Sequence, residues 1–149
     1  MAAYYSDLDL DAQMASVLAH YDSLWPVIVR LIGEHGENAE SGLVLEGSAI
    51  LPARAASLGG QVAAVWILAE DDLLERRIRQ ESGYDHVRPA GQALIDKFIA
   101  RSLSFNRLVT DEVRRLGLPS LSADEGISVD ALADACLVSV ALQEGARSM

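Results

Sequence analysis

The sequence has few basic residues. Lysine and arginine together number 12 against 22 aspartate and glutamate residues, which gives a formal net charge of −10, and Lys97 is the only lysine. A surface of this sign repels nucleic-acid backbones at long range. We therefore expect no nucleic-acid partner.

Cysteine is nearly absent as well. Cys136 stands alone among apolar residues, so a disulfide within the chain is excluded and a reduced interior is expected. The N-terminus lacks the basic and apolar pattern of a leader, and Asp130 and Asp134 interrupt the longest apolar helix candidate. These features favour a cytoplasmic protein with no membrane association.

The motifs that most often carry chemistry are missing. Neither G-x-x-x-x-G-K-[ST] nor G-x-G-x-x-G occurs, so the sequence offers no standard grip for a triphosphate. His20, His35 and His86 share no metal-ligand spacing. Ser48 lacks the G-x-S-x-G context of a nucleophile. Neither a metal site nor a catalytic triad is predicted.

Aromatic residues make up only 5% of a chain that is half hydrophobic, a balance typical of helices alternating with buried parallel strands. Apolar runs without alternation predict strands at residues 42–45 and 62–69, and a weaker one at 118–123. We expect a single α/β domain over residues 1–149, with a partial doubly wound parallel sheet of three strands flanked by helices.

Helical periodicity is clear between these runs. It predicts a helix over residues 9–34, which Pro26 should kink or divide, and a long helix over residues 92–116 that ends at Gly117. Ser128 can begin a last helix. The inner face expected for that helix consists of Val129, Leu132, Ala133, Cys136, Leu137 and Val140.

Ligands of doubly wound folds bind beyond the carboxyl ends of the strands, so the residues that follow the predicted strands are candidates: residues 46–48, Glu70 with Asp71, and Ser122 with residues 124–126. Glu46 follows the first strand and could orient metal-bound water or accept a hydroxyl proton, or it could merely end the strand. Arg76, Arg77 and Arg79 suit the charge of a transferring phosphoryl group, or they could form a solvated helix face.

The order of these elements resembles that of the P-loop kinase-like NTPases, notably the 2-phosphoglycerate kinase-like and related small-molecule kinase-like ATPases. The resemblance covers nearly the whole chain and rests on Leu24-Trp25-Pro26, residues 42–52, residues 65–68, residues 74–79 and residues 96–116. It implies an ATP- and Mg²⁺-dependent phosphotransferase acting on a small-molecule phosphoryl acceptor.

The resemblance also implies roles for particular residues. Glu46 matches the acidic position at a strand end, Arg76, Arg77 and Arg79 match the arginine-bearing lid, and the loop beside the adenine would consist of Asp124, Glu125 and Gly126. The family's first strand, phosphate loop and helix have no counterpart here, so the chain is expected to be an N-terminally truncated domain, inactive alone, with a gap in its sheet.

The absence of the first strand, phosphate loop and helix has two alternative interpretations besides truncation. The chain could be a non-catalytic relative that serves as a protein-interaction domain, or a partner could supply the missing strand. Either alternative predicts association with another protein or with a second copy.

Overall fold

The computed structural model describes residues 8–36 and 42–147, and helices dominate this part of the chain. Five α-helices and two short strands follow one another along the chain, with single 3₁₀ turns at Gly59–Gln61 and Tyr84–His86. The elements in chain order are α1 (Leu10–Gly36), α2 (Pro52–Ser57), β1 (Trp66–Leu68), α3 (Asp71–Glu81), α4 (Pro89–Leu116), β2 (Ser120–Ser122) and α5 (Val129–Arg147).

The predicted three-stranded, doubly wound sheet is wrong. Within the described residues the sheet has two parallel strands, with Trp66 opposite Ser120 and Leu68 opposite Ser122. These strands pair directly, with no gap between them. The fold is therefore helix-rich, with a minimal sheet.

The first predicted strand fails for a physical reason. Residues 42–46 are not assigned to a helix or strand, and Val44 is 92% exposed. The hydroxyl of Ser48 hydrogen-bonds that of Tyr21, at 2.7 Å, which ties the end of this segment to α1. An unalternating apolar run indicates a preference for burial, whereas a strand also needs a neighbouring backbone to pair with.

The pairing of β1 and β2 ends at Pro119, which has no N–H to donate. Beyond that point the side-chain carboxamide of Gln143, on α5, replaces the partner strand. It accepts a hydrogen bond from the Ala64 N–H and donates one to the Ala64 carbonyl, both at 3.1 Å. This contact fastens the last helix to the segment that leads into β1.

The helix α4 is the central element, because α1, α2, α3 and β1 all pack against it. Its buried side chains are Ile99 and Val113, of which Val113 is only 1% exposed. It ends at Gly117, whose φ of 62° is the left-handed conformation that glycine adopts most easily.

The helix α1 runs through Pro26 as one continuous helix, so of the expected kink or division the division does not occur. Pro26 is exposed. The Asp22 carbonyl that loses its helical donor therefore lies on the solvent side of the helix, where water can replace the hydrogen bond.

In the described part of the chain, no helix combines the length and apolar character needed to cross a bilayer.

Candidate functional site

Both strands run in the same direction, so their carboxyl ends meet at one edge of the sheet. The chain leaves β1 into the first turn of α3, which begins at Asp71, and leaves β2 into the loop that contains Asp124 and Glu125. The middle of α4 supplies Asn106 and Arg107. These side chains form the polar edge of the sheet.

Asp71 is the centre of this polar edge. Its Oδ1 accepts from Asn106 Nδ2 at 3.1 Å, and its Oδ2 accepts from Arg107 Nε at 2.6 Å. The same Asn106 amide also donates to the Ala69 carbonyl at 2.9 Å. One asparagine thus joins α4 to the end of β1 and to the first turn of α3.

The pKa of Asp71 lies below its ordinary value. Desolvation acts in the opposite direction and is the largest single effect, but the hydrogen bonds from Asn106 and Arg107, together with the charge of Arg107, outweigh it. The native contacts therefore favour the carboxylate form of Asp71.

Arg76 and Glu125, predicted to belong to the lid and to the nucleotide loop, lie together. Arg76 Nη2 is 2.6 Å from Glu125 Oε1, and both side chains are more than half exposed, so the pair adds little to stability. In the same loop the Ser122 hydroxyl donates to Asp124 at 2.7 Å. Gly126 is exposed in the turn that follows.

Arg79 lies in a separate cluster that joins α3 to α4. Its Nε is 2.9 Å from Glu75, its Nη2 is 3.2 Å from Asp96, and its guanidinium stacks 4.1 Å from the centre of the Tyr84 ring. The Tyr84 hydroxyl donates to Asp96 at 3.0 Å. The contacts with Tyr84 and then with Glu75 raise the pKa of Arg79, which stays charged.

The remaining predicted residues stand apart from the polar edge. Glu46 and Arg77 are exposed, and the side chain of neither makes a hydrogen bond or ion pair with another described residue. Of the seven predicted site residues, the structure joins only Arg76 and Glu125 by direct contact.

Sequence reasoning missed the contribution of Arg107 and the partners of Asn106. Asp71 was visible as a residue following a predicted strand, but the α4 residues that bind it lie more than thirty positions away in the sequence. In the sequence, Asn106 and Arg107 are marked only by their position within the long predicted helix.

No cluster of three or more potential metal ligands occurs among the described residues. Two arginines lie at or beside the polar edge, Arg107 and Arg76, and each already pairs with a carboxylate. Phosphate oxygens would have to displace Glu125 and Asp71.

A second surface lies on α5, where the predicted inner face is partly wrong. Val129 is 84% exposed and Leu137 is 68% exposed, together with Val138 at 60% and Leu142 at 71%. The side of α5 that carries Gln143 packs toward the sheet, because α5 contacts β2 and Gln143 hydrogen-bonds Ala64. That geometry leaves Leu137 on the outside.

Four residues of α5 form what we name the outer stripe: Leu137, Val138, Ala141 and Leu142. All four are exposed, and their spacing places them on one face over two helical turns. Asp130 and Asp134, exposed on the same face, precede the stripe by two turns and by one turn. The N-terminal end of this face is therefore acidic, and the stripe that follows it is apolar.

Comparisons with known proteins identified no relative of this chain. No family model matches the chain, and neither the curated proteins nor the solved structures contain a significant match. The resemblance to the P-loop kinase-like proteins stays a prediction from the sequence.

Proposed function

We propose that this chain is a non-catalytic protein-interaction domain that binds a helical segment of another protein through the outer stripe of α5. The observation that carries the proposal is the exposure of three large apolar side chains in two consecutive turns: Leu137 at 68%, Val138 at 60% and Leu142 at 71%. Single exposed apolar residues are ordinary, but a contiguous group usually marks a contact surface.

The stripe is presented on a fixed helix. The opposite side of α5 packs on β2, and the Gln143 carboxamide holds the Ala64 peptide group by two hydrogen bonds. A partner therefore meets an already formed surface, which reduces the ordering cost of binding. An amphipathic helix laid along another helix is a common recognition mode that suits such a surface.

The expected affinity is modest. Covering the exposed parts of Leu137, Val138 and Leu142 contributes roughly 1–2 kcal/mol each, and the apolar face of the partner contributes a similar amount. Loss of translational and rotational freedom offsets at least ~4 kcal/mol of this sum. The balance is at most about 8 kcal/mol, which corresponds to a dissociation constant no tighter than about a micromolar.

The test uses a fluorescein-labelled, capped synthetic helix of ~18 residues with leucine at i, i+3, i+4 and i+7 and glutamine elsewhere. Fluorescence anisotropy measures its binding to the wild-type chain and to a Leu137→Ser/Leu142→Ser variant. We expect binding to weaken at least ~10-fold in the variant, because two of the three anchors are lost. Circular dichroism checks that the variant keeps its helices.

The matched control is Val44→Ser, which replaces an apolar residue that is even more exposed, at 92%, and lies off α5. Equal binding by all three proteins would refute the proposal. Sedimentation velocity tests the competing occupant, a second copy: self-association that Leu137→Ser/Leu142→Ser abolishes would assign the stripe to a dimer and overturn the proposal.

A second candidate function is the one that the resemblance implies, the C-terminal portion of an ATP-dependent small-molecule phosphotransferase. The observation that favours it is the contact of Arg76 with Glu125, which joins the lid position to the nucleotide-loop position. Calorimetric titration with Mg²⁺–ATP tests this candidate. Heat of binding that is lost in the Arg76→Ala variant would support it, and the absence of any heat of binding would refute nucleotide binding by this chain.

A further inference from the structure

We propose that the helix bound by the outer stripe is basic, with arginine or lysine side chains that pair with Asp130 and Asp134 while its leucine-like residues cover the stripe. This inference rests on the proposed function, because it names the chemistry of the partner for the same surface.

The charges of α5 are all of one sign over most of its length. From residue 129 to residue 146 the charged residues are Asp130, Asp134 and Glu144. Asp130 and Asp134 are exposed, and neither forms an ion pair with another described residue. The apolar stripe therefore continues into a negative patch whose two carboxylates form no ion pair with a cation among the described residues.

The spacing of the two aspartates adds electrostatic repulsion within the negative patch. Residues four apart on a helix are neighbours, so the carboxylates of Asp130 and Asp134 repel each other. A cation placed between them relieves this repulsion and gains two favourable contacts. An arginine suits the position, because its guanidinium presents several donors in one plane.

The negative patch also decides against the competing occupant. A second copy brings its own net charge of −10 toward this face, whereas a basic helix is attracted from a distance. Charge complementarity thus selects a basic amphipathic helix over self-association. It also fixes the position of the basic side chains, which lie beside the N-terminal half of α5.

The experiment compares three labelled peptides with the same leucine face and with arginine, glutamine or glutamate on the flanks. At about 20 mM salt we expect the arginine peptide to bind roughly 10-fold tighter than the glutamine peptide, and the glutamate peptide to bind most weakly. The advantage of arginine should shrink at about 150 mM salt.

The discriminating variant is Asp130→Asn/Asp134→Asn, which should reduce the advantage of the arginine peptide to about 2-fold or less and leave the glutamine peptide unaffected. The control is Asp85→Asn/Asp111→Asn, which changes the net charge by the same amount at exposed positions off α5. That control should keep most of the advantage.

Two results would overturn the inference alone. Equal affinity for the arginine and glutamine peptides would show that the patch does not select charge, and an equal effect of the two double variants would assign the attraction to total charge. In both cases the effect of Leu137→Ser/Leu142→Ser still supports the contact surface. Failure of every peptide to bind would refute the proposed function as well.

Discussion

Replacing Asn106 with alanine tests the organisation of the polar edge. The change removes the amide that donates to the Ala69 carbonyl at 2.9 Å and to Asp71 at 3.1 Å. Alanine suits a helix interior better than asparagine does, so the substitution itself favours α4. Any loss of stability then comes from the two hydrogen bonds.

The size of the loss follows from the partners. A hydrogen bond to a neutral carbonyl contributes about 1 kcal/mol, and one to a carboxylate contributes ~1.5–3 kcal/mol. The Asp71 side chain is 30% exposed and keeps its contact with Arg107, so the lower part of the second range applies. We expect Asn106→Ala to lower the free energy of unfolding by about 2 kcal/mol, which for a domain of this size reduces the Tm by roughly 4–8 °C.

The assay is urea denaturation followed by far-ultraviolet circular dichroism, with an unchanged denaturant slope as the check that the same surface is exposed on unfolding. The control is Arg114→Ala on the same helix, since Arg114 is exposed and its side chain makes no ion pair with a described residue. A loss below about 0.5 kcal/mol in Asn106→Ala, or an equal loss in the control, would refute this role of Asn106.

Three further predictions test other parts of the structure. Because the native pKa of Asp71 is depressed, its stabilising contribution is full above its unfolded pKa and is lost as the pH falls through its native pKa. The stability gap between wild type and Asp71→Asn should therefore narrow as the pH is lowered from about 5 through the native pKa, and a gap of constant size over that range would contradict the assignment. Val113→Ala should cost roughly 2 kcal/mol in urea denaturation, whereas Val129→Ala, at an 84% exposed site, should stay within about 0.5 kcal/mol; similar losses at both sites would count against the core described above. Gly117→Ala should lower the free energy of unfolding by about 1 kcal/mol, because the φ of Gly117 is 62°. Gly145→Ala, inside α5, should raise the free energy of unfolding by up to ~1 kcal/mol. Changes of the same sign at both positions would be inconsistent with the two backbone conformations.

The helices could be predicted from the sequence because their signals are local. The helix expected over residues 92–116 is present within α4, and Gly117 ends it as expected. Helical periodicity and a glycine cap depend on residues a few positions apart, and tertiary context changes them little.

The strands and the orientation of α5 could not be predicted in the same way. The run at residues 42–45 is as apolar as a strand, but pairing depends on which backbone lies beside it, and that is decided by the packing of distant helices. Val129 and Leu137 fit an inner face by composition. Leu137 is nevertheless exposed, because the bond between Gln143 and Ala64 turns a different side of the helix toward β1, and Val129 is exposed in the first turn of α5.

The candidate site shows the same division. Asp71 was recognisable as a residue that follows a predicted strand, yet its two hydrogen-bond partners, Asn106 and Arg107, come from the middle of α4. Predicting them requires the relative position of α3 and α4, which the cluster of Arg79, Tyr84 and Asp96 helps to fix. That geometry is tertiary and leaves no pattern in the sequence.

The contact between Gln143 and Ala64 has a consequence for how the protein is made. It joins residues 79 positions apart, and the pairing of β1 with β2 likewise waits for residues 120–122. During synthesis the contacts among α1, α2, α3 and α4 can therefore form first, while β1 remains without its partner strand until residues 120–122 leave the ribosome. Since α5 follows β2 in the chain, the surface proposed to bind a partner forms only after these helices have emerged.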